Sequence, residues 1–276
     1  MPCSSSGNIV VSTVLKCSVL GLILAGTAAC QSTRVAQSGY LSSYAGLPQS
    51  AGKGDAHLRR DDTASDAIQS VYISPAVLAA DIETQLSDQE KAMVVREVDR
   101  QICFEVSRRF TVDAMPTPRS AIIRTAIVRL ESNSRVGSAA AAAVDFVNPI
   151  PLVNFRLPWT TGGLSAETEL LAADGRQVAA LVWGRNARVA GRIKPSLSRA
   201  GDALQLAEPL GDAVAQAFAT KARGARIEKA AVDPCARFGP RQDIGRTVAS
   251  GIVGFGTGLY MPQVSGTSLP AKQVVD

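Results

Sequence analysis

An α+β fold is predicted, a mostly antiparallel sheet of about four strands with two helices packed on one face. Three observations predict it: a capping box ahead of an amphipathic run, an Asp-Gly pair between two apolar runs, and the element order strand, helix, three strands, helix. The chain has 276 residues, 46% hydrophobic and 19% charged, enough apolar matter for one sizeable core and hence one main domain.

The first strand is expected in AIQSVYISPAVL, where Ile68, Val71, Ile73 and Val77 suit an extended chain and Pro75 limits its length. In SDQE, Ser87 to Glu90, the serine oxygen can accept from the third helical amide while Glu90 reaches back, which starts a helix running to about Phe110. Val95, Val98, Ile102, Val106 and Phe110 recur at three and four as its buried stripe, with Cys103 on the border. Arg96, Glu97, Asp99, Arg100, Arg108 and Arg109 are expected largely outside it. After the two prolines of MPTPRS, the β-branched RSAIIRTAIVRLES reads as a second strand. LSAETELLAADGRQVAALVWG reads as a hairpin closed by a tight type I′ turn at Asp174 and Gly175. The last helix places Leu210, Val214, Ala217 and Phe218 on one face and ends near Gly224.

These elements give a division into a signal peptide at 1–29, a tether rich in small polar residues at 30–63, an α/β domain at 64–224 and a glycine-rich tail at 225–276. Residues 137–162 hold an alanine run broken by Pro149, Pro151 and Pro158. That segment reads as a long loop over a sheet edge. The alternative makes Phe146, Ile150, Val153, Phe155 and Trp159 an apolar lip for a membrane or partner. In the tail, GIVGFGTGLY has neither the spacing of a dinucleotide loop nor the lysine of a phosphate loop.

The opening is the most specific feature. Lys16 is the one charged side chain before residue 30, and the apolar core CSVLGLILAG, Cys17 to Gly26, is about half the ~20 residues a spanning helix needs. That length suits a removable signal. Small residues Thr27, Ala28 and Ala29 precede Cys30, so the segment resembles a bacterial lipoprotein signal with its lipobox. The resemblance implies cleavage between Ala29 and Cys30 and acyl chains, such as palmitate, on that cysteine. Gln31, standing where sorted lipoproteins carry Asp for inner-membrane retention, implies the outer membrane, facing the periplasm. An ordinary secretory signal cut near Ala29 is the alternative. Several acyl chains would make attachment effectively permanent without any protein helix.

SGYLSSYAGL, residues 38 to 47, resembles the opening of the bacterial lipoprotein family known as domain of unknown function 3313, through Gly39, Tyr40, Leu41, Ser42 and Tyr44. The order of the later elements resembles it up to about residue 224. The resemblance implies an envelope lipoprotein and brings no established reaction or catalytic residue.

Site chemistry is sparse. His57 is the only histidine and stands in the expected tether, so a Ser-His-Asp triad has nothing to build on. No catalytic residue, cofactor or metal site is expected, since two cysteines and one histidine form no local ligand cluster. Cys103 and Cys235 remain as one pair, either a disulfide in an oxidising compartment or two buried thiols. Glu167 and Glu169 share one face of a strand and read as a solvated face, with an acid/base pair as the sharper alternative. Arg185, Arg188, Arg192, Lys194 and Arg199 lie within fifteen residues and form the candidate patch for anionic lipid headgroups or wall polymers. The net charge of +5, or +4 once Lys16 leaves with the signal, is too small and dispersed to argue for nucleic acid. The reading is a non-enzymatic, lipid-anchored binding or assembly factor whose partner is an envelope protein or anionic polymer. A subunit of an oligomeric assembly or pore, or a hydrolase, is the alternative.

Overall fold

Pro75 divides the first expected strand into two short ones, and both lie against the same long neighbour. A computed structural model of the chain describes residues 37–48, 56–139, 154–155, 160–188, 190–191, 194, 196–224, 232–239, 260 and 274–275. The expected signal with Ala29 and Cys30, Arg192, most of the alanine-proline segment and most of the tail lie outside the described residues.

In chain order the elements are β1 (Ala56–Arg60), α1 (Asp62–Ala67), β2 (Ser70–Ile73), β3 (Val77–Ala79), α2 (Asp88–Ser107), β4 (Thr111–Val112), β5 (Ala121–Glu131), β6 (Asn154–Phe155), β7 (Gly163–Leu171), β8 (Gln177–Asn186), β9 (Ala190–Gly191), α3 (Gly201–Phe218) and β10 (Val274–Val275). The fold is α+β. Its main sheet runs β1-β8-β7-β5-β2-β4, with β3 also on β5 and β10 on β3, while β6 and β9 pair apart. Strands β1, β8, β7 and β5 are antiparallel in turn. The pairs β2–β4, β2–β5, β3–β5 and β3–β10 are parallel.

The expected four-stranded, mostly antiparallel sheet is therefore corrected to a larger mixed one. The reason is α2. A chain that leaves a strand, crosses one face of the sheet as a helix and re-enters the sheet returns in the same direction.

Helix α2 begins as predicted. Ser87 Oγ accepts from the Glu90 amide at 3.3 Å, and the Ser87 amide donates to Glu90 Oε2 at 2.9 Å. Val95, Val98, Ile102, Val106 and Phe110 are all buried against the inner sheet face, with Val71, Ile73, Ile123, Ile127, Leu164 and Leu181. The expected solvent side is partly wrong, because Glu97, Asp99 and Arg100 are buried as well. A second layer covers that side: Cys103 is bonded to Cys235 across 132 residues of sequence, with Cα atoms 5.8 Å apart, and this staples residues 232–239 onto the helix. Arg96 Nε then donates to the Phe238 carbonyl at 3.1 Å. Asp99 Oδ1 accepts from the Ala76 amide at 2.7 Å. Burial pushes the Asp99 carboxyl up to about 8, against the pull of that amide and of the Arg237 charge.

Helix α3 crosses α2 at Gly211, where a Cβ would stand 2.6 Å from the Gln101 carbonyl oxygen. Its C-terminus is closed by Arg60, whose Nη1 donates to the carbonyls of Gln216, Ala217 and Ala219 at 3.1, 2.9 and 3.0 Å. Gly224 lies beyond that end. Arg60 belongs to β1, so the last strand-forming residues of the expected tether are an integral sheet edge, with His57 in the strand opposite Val182.

The hairpin falls where expected, with a different turn. Gly175 donates to the Ala172 carbonyl at 2.9 Å and Ala172 to Arg176 at 2.8 Å, so Ala173 and Asp174 occupy the turn centre. Gly175 follows at φ +83°. This is a three-residue loop with glycine in the left-handed position, and the register shifts between Leu170 and Leu171 as a bulge requires.

Gly211→Ala is expected to lower stability by about 1–3 kcal/mol through overpacking at the crossing, although alanine is the better helix former; a urea midpoint unchanged or raised would refute the close approach. Asp99 is protonated more readily folded than unfolded, so its contribution is present below about pH 4 and is lost as pH rises towards 8. Asp99→Asn should flatten the pH dependence of urea unfolding over that window.

Candidate functional site

Period two along β7 puts Glu167 and Glu169 on the outer sheet face, away from α2 and α3. In register, Glu167 stands between Ala126 of β5 and Val182 of β8, and Glu169 between Arg124 and Ala180. The expected solvated face is corrected here: both residues are 0% exposed. What covers them is the segment 38–47, expected as part of a tether.

Leu41 and Leu47 pack with Ala180 and Val182 in a small apolar cluster of their own, flanked by Tyr40 and Tyr44. Around it the carboxylates collect donors. Glu167 accepts from the Ser38 amide at 2.8 Å, Ser38 Oγ at 2.7 Å and the Tyr44 hydroxyl at 2.5 Å. Glu169 accepts from the Ser42 amide at 2.9 Å, Ser42 Oγ at 3.0 Å, Arg124 Nε at 3.0 Å and Gln177 Nε2 at 2.8 Å, and pairs with Arg124 Nη2. The Tyr44 oxygen in turn accepts from the Gly39 amide at 2.8 Å and the Leu41 amide at 3.2 Å. Arg124 lies 5.4 Å from the centre of the Tyr40 ring. Two left-handed glycines, Gly39 at φ +88° and Gly46 at φ +77°, let the chain bend at either end of this clasp.

The electrostatics follow from this packing. Burial alone would raise the Glu169 carboxyl, but the bonds from Gln177, the Ser42 amide and Arg124 outweigh it and hold it below the usual range. Burial pushes the Tyr40 hydroxyl up to about 12, with Arg124 opposing and Glu169 adding to the rise. Tyr44 is raised too, by burial and then by its bond to Glu167.

A general acid or base must reach a proton on a bound substrate. These two carboxylates face donors of their own chain, so the arrangement acts as a clasp on the segment, and the acid/base alternative has no open face to work on.

The chain matches the family of proteins of unknown function DUF3313 over residues 36–214. It belongs to that family. The match begins at the clasp, so the family's opening residues are the ones that bind the sheet's carboxylates. No curated protein matches the chain. Among solved structures, the PelC dodecamer from Paraburkholderia phytofirmans aligns at 10% identity and TM-score 0.34, covering 58% of this chain and 97% of that one. A variant of the same dodecamer aligns at 10% identity and TM-score 0.34, with 60% and 100% covered. At that level the likeness transfers no function.

Arg199 donates to the Gln85 carbonyl and pairs with Glu90 at 3.1 Å, which ties it to the start of α2. Arg185 lies over the Trp183 ring at 5.4 Å. Lys194 and Gln205 exchange two bonds of 2.9 Å through the lysine backbone, and Arg188 and Lys194 are exposed. The basic residues of the described part are thus spread between a strand, a loop and a helix cap. Phe155 falls on β6, opposite Ala190. Among the described residues, no cluster of three His, Cys, Asp or Glu could hold a metal ion, and no helix is long and apolar enough to cross a membrane.

Sequence reasoning missed Ser38, Arg124 and Gln177. The available signal was two acids on one face of a buried strand, together with the serines and tyrosines of a short upstream motif. Glu169 contributes stability above the unfolded carboxylate range and loses it as pH falls through its lowered folded value. The drop in unfolding free energy between pH 6 and pH 3 is therefore expected to be smaller in Glu169→Gln than in wild type, measured by urea titration at both pH values.

Proposed function

We infer that this DUF3313 protein is a lipid-anchored cell-envelope lipoprotein that works by binding and not by catalysis. Acyl chains on Cys30 fix it to the outer membrane, and its body faces the periplasm. The observation that carries the reading is the docking of the clasp. Ser38, eight residues after Cys30, is already bonded to the sheet. Eight extended residues reach about 28 Å at most, so an acylated Cys30 would keep the whole body close against the bilayer.

Two further features support it. A Cys103–Cys235 bond suits an oxidising compartment such as the periplasm. The two carboxylates that stood as acid/base candidates are buried beneath residues 38–47 and bonded to them, an arrangement that suits a binding module. The partner is an envelope protein or an anionic wall or lipid polymer, met in part through exposed Arg188 and Lys194.

Cys30→Ala in the full chain is expected to move the protein from the membrane to the soluble fraction, or to leave it uncut. Fractionation and intact mass together test this. Wild-type protein with an unmodified thiol at position 30, or with the first 29 residues still attached, would overturn the anchoring.

A further inference from the structure

The clasp follows β7 in one direction. Ser42 is bonded to Glu169 and Ser38 to Glu167, so each step towards the N-terminus moves towards Gly163, where that strand begins. Gly163 stands in one row with Glu131, the end of β5, and Asn186, the end of β8. Four segments meet at this end of the sheet, tied together by buried polar groups. The Asn133 amide donates to the Arg199 carbonyl at 2.9 Å, and its Nδ2 to the Ser196 carbonyl at 2.9 Å. The Gly162 amide donates to Asp202 Oδ2 at 2.7 Å, and the Ala187 amide to the Gly162 carbonyl at 2.9 Å. Asn133, Ser196 and Asp202 are at most 2% exposed. The segments are thus fixed from beneath, yet they turn apolar side chains to solvent: Val136 is 81% exposed and Leu197 49%. Arg135 and Arg188 are exposed beside them, and among the described residues neither pairs with a carboxylate. Of the acids here, Asp202 is buried and Glu131 pairs with Arg129 at 2.6 Å. Asp81 and Glu83, both exposed, lie in the loop between β3 and α2, on the far side of β5 from the clasp. The β7–β8 side of this end is therefore basic and apolar together. That combination suits the boundary of a bilayer, where alkyl groups enter the headgroup layer and guanidinium groups meet lipid phosphates.

We propose that this end is a bilayer-contact surface: Val136 and Leu197 enter the headgroup boundary, Arg135 and Arg188 meet anionic lipid phosphates, and the body lies with the start of β7 against the membrane that holds Cys30. This contact rests on acylation of Cys30. Ser38 is fixed above Glu167, and eight residues limit its distance from the anchor to about 28 Å. Two apolar and two basic side chains would hold a free protein only weakly. On a short tether the contact becomes intramolecular, so a weak preference decides which end of the body faces the lipid.

Acylated full-length protein in vesicles of phosphatidylethanolamine and phosphatidylglycerol tests the contact. A polarity-sensitive dye is placed at A139C, an exposed position three residues after Val136, or at M115C, exposed ahead of the opposite end of β5. Emission of the A139C dye should shift to the blue, and that of the M115C dye should not. In R135Q/R188Q and in V136S/L197S the shifted fraction should fall at least about fivefold, with vesicle binding unchanged. Vesicle-bound protein whose A139C dye is unshifted, or whose two dyes shift alike, would overturn the contact surface and leave the anchoring intact. A shift undiminished in vesicles of phosphatidylcholine alone would refute the anionic headgroup as partner. A shift in concentrated C30A protein without vesicles would refute the bilayer in favour of a second copy of the chain. Protein that does not bind the vesicles at all would overturn the anchoring on which the contact rests.

Discussion

Strands β7 and β8 are buried on both faces, and that single constraint organises the molecule. A strand covered on one face can leave its alternate residues in water, whereas this hairpin has no such side. On the inner face the cover is apolar, with α2 and α3 set over Leu164, Ala166, Leu170 and Leu181. On the outer face it is mostly polar, a short segment whose hydroxyls and amides meet Glu167 and Glu169. The two covers are different in kind. One is held by area removed from water, and the other by directed bonds between groups that would be costly to bury unpaired.

Two helix ends are closed by directed bonds of the same kind. Arg60, at the end of the first strand, closes the carbonyls of α3. Arg223, just past α3, does the reverse service for α1, donating to the carbonyls of Ser65, Asp66 and Ile68 at 3.1, 3.0 and 2.6 Å while lying 4.4 Å from the centre of the Phe110 ring. Each guanidinium does so through one terminal nitrogen, Nη1 of Arg60 and Nη2 of Arg223, whose two N–H groups are shared among three carbonyls. The disulfide then joins the segment after α3 to α2, and Asp99 lies between the two, bonded to the Ala76 amide and within the field of Arg237.

Local rules made much of this legible. Ser87 and Glu90 announced α2 because a capping box is a contact between near neighbours, and the stripe through Phe110 announced its buried side for the same reason. The hairpin was visible in Asp174 and Gly175, but the pair alone could not tell which residues take the turn centre, since that depends on the bulge farther along the strands. The parallel pairing of β2, β3 and β5 followed from a helix lying between them, a connection rule that the antiparallel expectation passed over. The clasp was illegible for a deeper reason. Alternation in ETELL reports that Glu167 and Glu169 share a face, and nothing within the strand reports what lies on that face. The answer is set by residues more than a hundred positions earlier.

Why acids, and not leucines, should face a cover of this size is the remaining question. An apolar outer face on β7 would bind a ten-residue segment only by area, and if exposed it would invite other chains to the same surface. Carboxylates separate those two effects. They bind strongly only where donors are placed to meet them, as Ser38, Ser42 and Tyr44 are. Left uncovered, they are well solvated and discourage indiscriminate association. The family's opening motif then follows position by position: glycine for the bend, tyrosine over Arg124, leucine into the small cluster, serine onto Glu169, and the second tyrosine onto Glu167. A motif of that composition specifies a contact with one chosen surface, and here that surface is the protein's own sheet.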